Sequence, residues 1–238
     1  LFGDCQCAKT EETNSLSSTG ARLKGFRKLS LSNISYKYPG SKVFSLKDIT
    51  LDLKVGEVIG IIGQSGSGKT TLIDLILGLL HPSDGLIKVD SEELNNNSVL
   101  KKWRNQIAYL PQKVFLTDST LRNNIALGVN DDEIDEIKIH ASLKQAALTK
   151  VVGLLPDGIE TYMGENGVRI SGGQAQRVAL ARAFYHGRSI LVMDESTSAL
   201  DNSTEKEIIQ EMSNLKGKVT MIVIAHRLTT LQYCDRIY

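Results

Sequence analysis

The chain has 238 residues, enough for one large domain or one domain with a sizeable insertion. Its 28 lysines and arginines balance 27 aspartates and glutamates, which argues against a broad nucleic-acid footprint. No apolar run approaches the roughly 18 residues of a membrane span and no secretory signal is visible; the three cysteines, Cys5, Cys7 and Cys234, make no disulfide framework and point to a reducing, intracellular setting.

Residues 1 to about 28 are polar and rich in Ser, Thr, Glu and Lys without a sustained period, and they read as a linker. The pair Cys5 and Cys7 in that stretch reads as unpaired thiols rather than a metal site. The chain opens on Leu1 and ends within a strand-like run at Cys234–Tyr238, so it reads as a piece of a longer polypeptide whose C-terminal end is truncated. In the next stretch Leu29, Leu31, Asn33 and Ser35 alternate with Ser30, Ser32, Ile34 and Tyr36, the period of a strand. A turn at Tyr38-Pro39-Gly40 leads to a second strand over Phe44–Leu53, and Lys54–Glu57 turns into a short β-branched run, Val58–Ile62. Ser83-Asp84-Gly85 is expected to turn before a strand at Leu86–Val89. Ser98 is expected to cap a short helix through Arg104, followed by a strand at Ile107–Leu110 that ends at Pro111.

The middle of the chain is helical. Thr120 is expected to cap Leu121–Leu127, and Asp131-Asp132 to start a longer helix through about Leu148 with Ile134, Ile137, Ala141 and Ala147 on one stripe. Gly172-Gly173 precedes a strong helix from Gln174 to Tyr185. Ser189–Met193 and Val219–Ile224 read as buried strands, with a helix over Glu205–Leu215 between them. Buried strands separated by helices predict a mostly parallel α/β sheet, with the stretch between Gln112 and Arg182 inserted into it.

Two motifs carry chemistry on their own. Gly63-Gln64-Ser65-Gly66-Ser67-Gly68-Lys69-Thr70 matches G-x-x-x-x-G-K-[ST] and lies between a strand and the helix beginning at Thr71. Glycines let backbone N–H groups turn inward, the helix N-terminus adds positive potential, and Lys69 brings a full charge. The motif predicts a nucleoside-triphosphate cradle, with the Thr70 hydroxyl placed for Mg²⁺. The second motif is Ile190–Met193 followed by Asp194-Glu195, a buried strand that delivers a carboxylate to the carboxyl edge of the sheet, where the phosphate loop also opens. Asp194 is expected to hold Mg²⁺, directly or through water, and Glu195 to polarise the attacking water.

Between these two motifs stands Ile170-Ser171-Gly172-Gly173-Gln174. It resembles the Leu-Ser-Gly-Gly-Gln signature of ATP-binding-cassette ATPases, with Ile170 in place of leucine. The other cassette motifs follow in order. By this resemblance Tyr38 stacks on adenine, with Tyr36 as the alternative. Gln112 joins Mg²⁺ to the helical subdomain, Ser198-Ala199-Leu200-Asp201 is the loop that acts across a dimer, and His226 is the switch histidine near the γ-phosphate. The resemblance covers about residues 29–238 and implies a P-loop core with a small antiparallel β subdomain and an inserted α-helical subdomain at about 113–182. Ser171, Gly172 and Gly173 before a helix form a second anion site. Borne on the inserted subdomain, that site would be too far from the same chain's phosphate loop, so two copies arranged head to tail, or one copy and a homologous cassette, would close around two ATP.

Thr161–Gly167 resembles the Gly-Glu-x-Gly stretch of exporter-type cassettes, which touches the coupling helices of a membrane domain, and Leu121–Ile125 also looks exporter-like. The implied reading is the ATPase domain of an exporter or flippase on the cytoplasmic face of an inner or plasma membrane, with a membrane-spanning domain of the same polypeptide as partner and no nucleic acid. A soluble cassette acting on nucleic acid or ribosomes is the rival, disfavoured by balanced charge and the lack of a heptad array. A non-hydrolysing nucleotide sensor is disfavoured by the presence of both Glu195 and His226. The cargo, be it a lipid, a glycolipid or a peptide, is not read by these residues.

Overall fold

A computed structural model describes residues 26–164, 168, 170–194, 210, 213–224 and 231–238. The expected leader up to residue 25, the cysteines Cys5 and Cys7, and most of the expected 205–215 helix lie outside the described residues. In chain order the strands are β1 (Lys28–Tyr36), β2 (Leu46–Lys54), β3 (Val58–Ile61), β4 (Asp84–Val89), β5 (Glu92–Glu93), β6 (Ile107–Leu110), β7 (Ile190–Asp194), β8 (Thr220–Ile224) and β9 (Arg236–Ile237). The helices are α1 (Lys69–Ile76), α2 (Asn97–Arg104), α3 (Leu121–Ile125), α4 (Glu136–Gln145), α5 (Thr149–Val152) and α6 (Gly172–Tyr185). Among the described residues no helix is long and apolar enough to cross a membrane.

Two sheets organise the molecule. An antiparallel sheet runs β2-β1-β4-β5, and a parallel sheet runs β6-β7-β8-β3-β9. The parallel strands are apolar on both sides because both faces are covered. Ile59, Ile61, Ile190, Val192, Ile222 and Ile224 face one core, shared with the antiparallel sheet, α1 and α2. Val58, Leu191, Met193, Met221 and Val223 face the other, under α3, α4 and α6. Strict alternation along each strand thus divides one sheet between two cores. Trp103 of α2 is fully buried in the first core, where its indole N–H donates to the Ile76 carbonyl at 2.7 Å, so its one polar atom is satisfied.

Five local expectations are corrected. In β1 the alternation breaks. Leu29 and Leu31 are buried, but after a register shift at Asn33, whose φ is 50°, the buried set becomes Ile34, Ser35 and Tyr36. A bulge of this kind adds a residue and swaps faces, which a period-two reading cannot show. Gly85 lies inside β4 rather than in a turn before it, and it is glycine because a Cβ there would sit 2.4 Å from the Asn33 carbonyl oxygen at that bulge. The second strand begins at Leu46, not Phe44. Asn96, not Ser98, caps α2, its side chain accepting from the Ser98 N–H at 2.9 Å. The long helix expected over 131–148 is a 3₁₀ turn at Asp131–Glu133, then α4 capped by Asp135, then α5. Starting the helix later rotates its face. Ile139, Ser142 and Leu143 are buried, whereas Ile137 is 83% exposed.

Candidate nucleotide site

The phosphate loop follows β3 and opens directly into α1. Gly68 is the N-cap of α1 with φ 95° and no side-chain capping bond, and the first turn carries no acid. Gly66 and Gly68 hold left-handed conformations that favour glycine. At Gly68 a Cβ would also lie 2.8 Å from the Ser45 carbonyl oxygen, and at Gly63 one would lie 2.4 Å from the Ser67 Oγ. At Gly68 both the conformation and the lack of room call for glycine, whereas at Gly66 only the conformation does. The Lys69 ammonium donates to the carbonyls of Gly63 at 2.8 Å and Gln64 at 3.0 Å, folding back over the mouth of the loop. The result is a helix N-terminus with an ammonium group held across it and no side-chain acceptor of its own, a cradle suited to an anion.

A hydroxyl cluster ties the first sheet to this helix. Thr71, buried in α1, lies 3.1 Å from both the Tyr38 hydroxyl and the Ser45 hydroxyl. Tyr36 and Tyr38 meet edge to face at 4.9 Å between centroids. Exposures of 7% and 44% separate the two candidates, since Tyr36 belongs to the core and only Tyr38 offers a ring to solvent.

The sheet brings a carboxylate to the same edge. Ile61, the last residue of β3, pairs with Ile224 of β8, and Ile224 pairs with Asp194 of β7. The carboxyl ends of β3, β8 and β7 are thus level, the position at which open α/β sheets bind ligands. Tyr109 of β6 donates its hydroxyl proton to Asp194 Oδ2 at 2.8 Å. Asp74 on α1 faces the same place. Burial, with the Asp194 charge adding to it, raises the Asp74 pKa above the usual carboxylate range. Burial, the hydrogen bond to Asp194 and the charges of Asp194 and Asp74 raise the Tyr109 phenol, which keeps it a donor. Gln112 is exposed two residues past the end of β6.

The signature residues sit at the start of α6. Ser171 is the N-cap, accepting from the Gln174 N–H at 3.2 Å, while Gln174 Oε1 accepts from the Ser171 N–H at 2.9 Å. This reciprocal capping box is legible in Ser-x-x-Gln, yet the sequence reading saw only the anion site. Downstream on α6, Arg182 donates to the Asn124 carbonyl at 2.5 Å, the Asn124 side-chain oxygen at 2.9 Å and the Phe115 carbonyl at 2.8 Å. It fastens the segment after Gln112 to the signature helix. The exporter-like stretch joins the same segment, with Thr161 and Met163 exchanging backbone hydrogen bonds with Leu121 and Ser119.

The structure therefore brings Gly63–Thr71, Tyr38 and Asp194 to one region of the fold, and puts Ser171–Gln174 on a separate helix. Glu195, Asp201 with the preceding Ser198–Leu200, His226, and the Glu165–Gly167 part of the exporter-like stretch lie outside the described residues. Sequence reasoning missed Tyr109 and Asp74, because nothing local in either segment points at Asp194.

Comparisons with known proteins agree with this geometry. Residues 46–198 match the family model described as ABC transporter. The chain is 41% identical over 210 residues, 88% of its length, to an ATP-dependent lipid A-core flippase of Ralstonia nicotianae. It is 40% identical over 217 residues, 91% of its length, to a protein of that name from Shewanella frigidimarina. It spans 35% and 36% of those two relatives, about a third of their length. Its fold overlays a bacterial Atm1-family ABC exporter solved with ATP bound, with a TM-score of 0.77 and 32% identity, over 92% of this chain and 38% of the other.

Proposed function

Because this chain belongs to the ABC transporter family as an ATPase domain of P-loop fold, we propose that it binds and hydrolyses ATP with Mg²⁺ to drive an exporter or flippase. The observation that carries this reading is the uncapped, lysine-bearing N-terminus of α1 opening level with the Asp194 carboxylate. Backbone N–H groups of the loop and Lys69 bind the phosphates, and Thr71 with the Tyr38 ring orients the nucleoside end. The Thr70 hydroxyl, the Asp194 carboxylate and the Gln112 amide oxygen are hard oxygen donors, the set that suits Mg²⁺. Bound there, the cation would offset phosphate charge as it builds toward the transition state. Glu195 takes the proton of the attacking water, and His226 holds the γ-phosphate end.

Ser171, Gly172, Gly173 and Gln174 act on the nucleotide of a second cassette, in a head-to-tail dimer around two ATP, with Asp201 in the interface. A membrane-spanning domain of the same polypeptide is the other partner, which sets the ATPase at the cytoplasmic face. The name shared by the relatives supports an amphiphilic, lipid-class cargo. The test is Glu195→Gln. The amide keeps the size of the side chain but is a poor base, so ATP binding by calorimetry stays near the parent while phosphate release falls about 10²- to 10⁴-fold. A Glu195→Gln chain that hydrolyses like the parent removes Glu195 from the mechanism.

A further inference from the structure

The carboxylate at the end of β7 is not left to orient itself. Alternation along β7 puts Ile190, Val192 and Asp194 on the face turned toward α1, and Tyr109 pairs directly with Val192 on the neighbouring strand. Tyr109 therefore stands on the same face as Asp194, one diagonal step away, where cross-strand side chains reach each other. Its hydroxyl closes that step at 2.8 Å to Oδ2. From the other side α1 brings Asp74, whose charge and that of Asp194 oppose each other.

We propose that Tyr109 is a positioning residue of the Mg²⁺–ATP site: its hydroxyl holds Oδ2 of Asp194 and leaves Oδ1 as the oxygen that meets the cation or its water. This rests on the function proposed above. Donors that orient a metal-binding carboxylate in this way typically change metal affinity about 10- to 100-fold when removed. Loss of Tyr109 should therefore weaken the metal and spare the nucleotide, because Tyr109 has no hydrogen bond to the phosphate loop. A merely structural role in β6 would lower both together.

The experiment is Tyr109→Phe, which keeps the ring and deletes only the donor. Mn²⁺ serves as the probe, because its unpaired electrons report binding directly. ATP affinity without divalent metal, measured by calorimetry, should match the parent and show a folded chain. Mn²⁺ affinity of the ATP-loaded chain, measured by electron paramagnetic resonance, should fall about 10-fold. The Mg²⁺ concentration for half-maximal phosphate release should rise by a similar factor, with the rate at saturating Mg²⁺ largely recovered. Unchanged Mn²⁺ affinity in Tyr109→Phe, or a parallel loss of metal-free ATP affinity, overturns the positioning role alone. A parent chain that takes up no Mn²⁺ together with ATP overturns the site reading itself, and this inference with it.

Discussion

The helices α1 and α6 each have glycine at or beside their first residue, and they start in opposite ways. At α1 the N-cap is Gly68, with no side chain to accept from the first turn, and a lysine folds across the opening. At α6 the N-cap is Ser171, whose hydroxyl and whose partner Gln174 satisfy two backbone donors within the chain. An uncapped helix end leaves its donors to a ligand, while a capped one is already stable without a ligand. The first can therefore capture a triphosphate by itself. In the function proposed above, the second would offer the Ser171 hydroxyl proton and the N-terminal glycines to an anion bound elsewhere. This division of labour matches two half-sites contributed by two chains.

The comparison breaks most severely at Lys69. Lys69→Ala removes the one full positive charge from an end otherwise made of backbone dipoles, and ATP affinity should fall about 100-fold or more. Calorimetry at fixed salt checks this, and equal affinity in mutant and parent would show that the α1 end is not the capture site. At the other helix, Ser171→Asp keeps a good capping acceptor but loses the donated proton and sets a negative charge toward the partner's phosphates. ATP affinity and melting temperature should stay near the parent, and phosphate release should fall about 10- to 100-fold. If instead the melting temperature falls with activity intact, Ser171 is a cap and nothing more.

These contrasts also mark what the sequence made legible. The phosphate loop could be read because its eight residues are contiguous, with glycines setting the backbone and Lys69 and Thr70 adding side chains at fixed places. The parallel sheet was evident from runs such as Ile190–Met193, apolar on both faces. What escaped was whatever depends on register or on a local offset. Tyr109 and Asp194 are 85 positions apart and meet only through the pairing of β6 with β7. The face switch in β1 comes from one added residue at Asn33, and the face of α4 follows from capping at Asp135 rather than Asp131. Exposure agrees with the preference for Tyr38 over Tyr36 that the resemblance already gave.

Smaller effects sharpen the same contrast. Ser171→Ala deletes the cap, which costs about 1 kcal/mol and lowers the melting temperature by about 2–4 °C at this chain length. Scanning calorimetry checks it, and no shift would mean that the capping box contributes nothing to α6. The phosphate-loop side is instead pinned by an ion pair. Glu57, just before β3, accepts from Arg236 of β9 at 2.5 and 2.8 Å. The hydrogen bond from Arg236 is the main influence holding the Glu57 carboxyl below its usual range, against the opposing effect of burial. A carboxylate lowered in the folded state contributes stability that is present above its ordinary pKa and lost as pH falls through the folded value. Glu57→Gln should therefore flatten the acid side of the stability curve, with little change of slope near neutrality, whereas Ser171→Ala should leave that slope as it is. Urea melts between pH 3 and 7 compare the two.

The central claim is that the two helix ends complete one site only across two chains, and complementation tests it most directly. A Ser171→Arg chain should bind ATP about normally and a Lys69→Ala chain should not, and each alone should fail to hydrolyse it. Mixed, they can form dimers with one intact composite site, pairing the phosphate loop of the first with the signature of the second, while the other site carries both defects. Phosphate release from the mixture should return to at most about half the parental rate per dimer, given that charge stabilisation by both helix ends is the main catalytic effect. Full activity of the Ser171→Arg chain on its own would contradict the account, because the capped end of α6 would then play no part in the site it is proposed to complete.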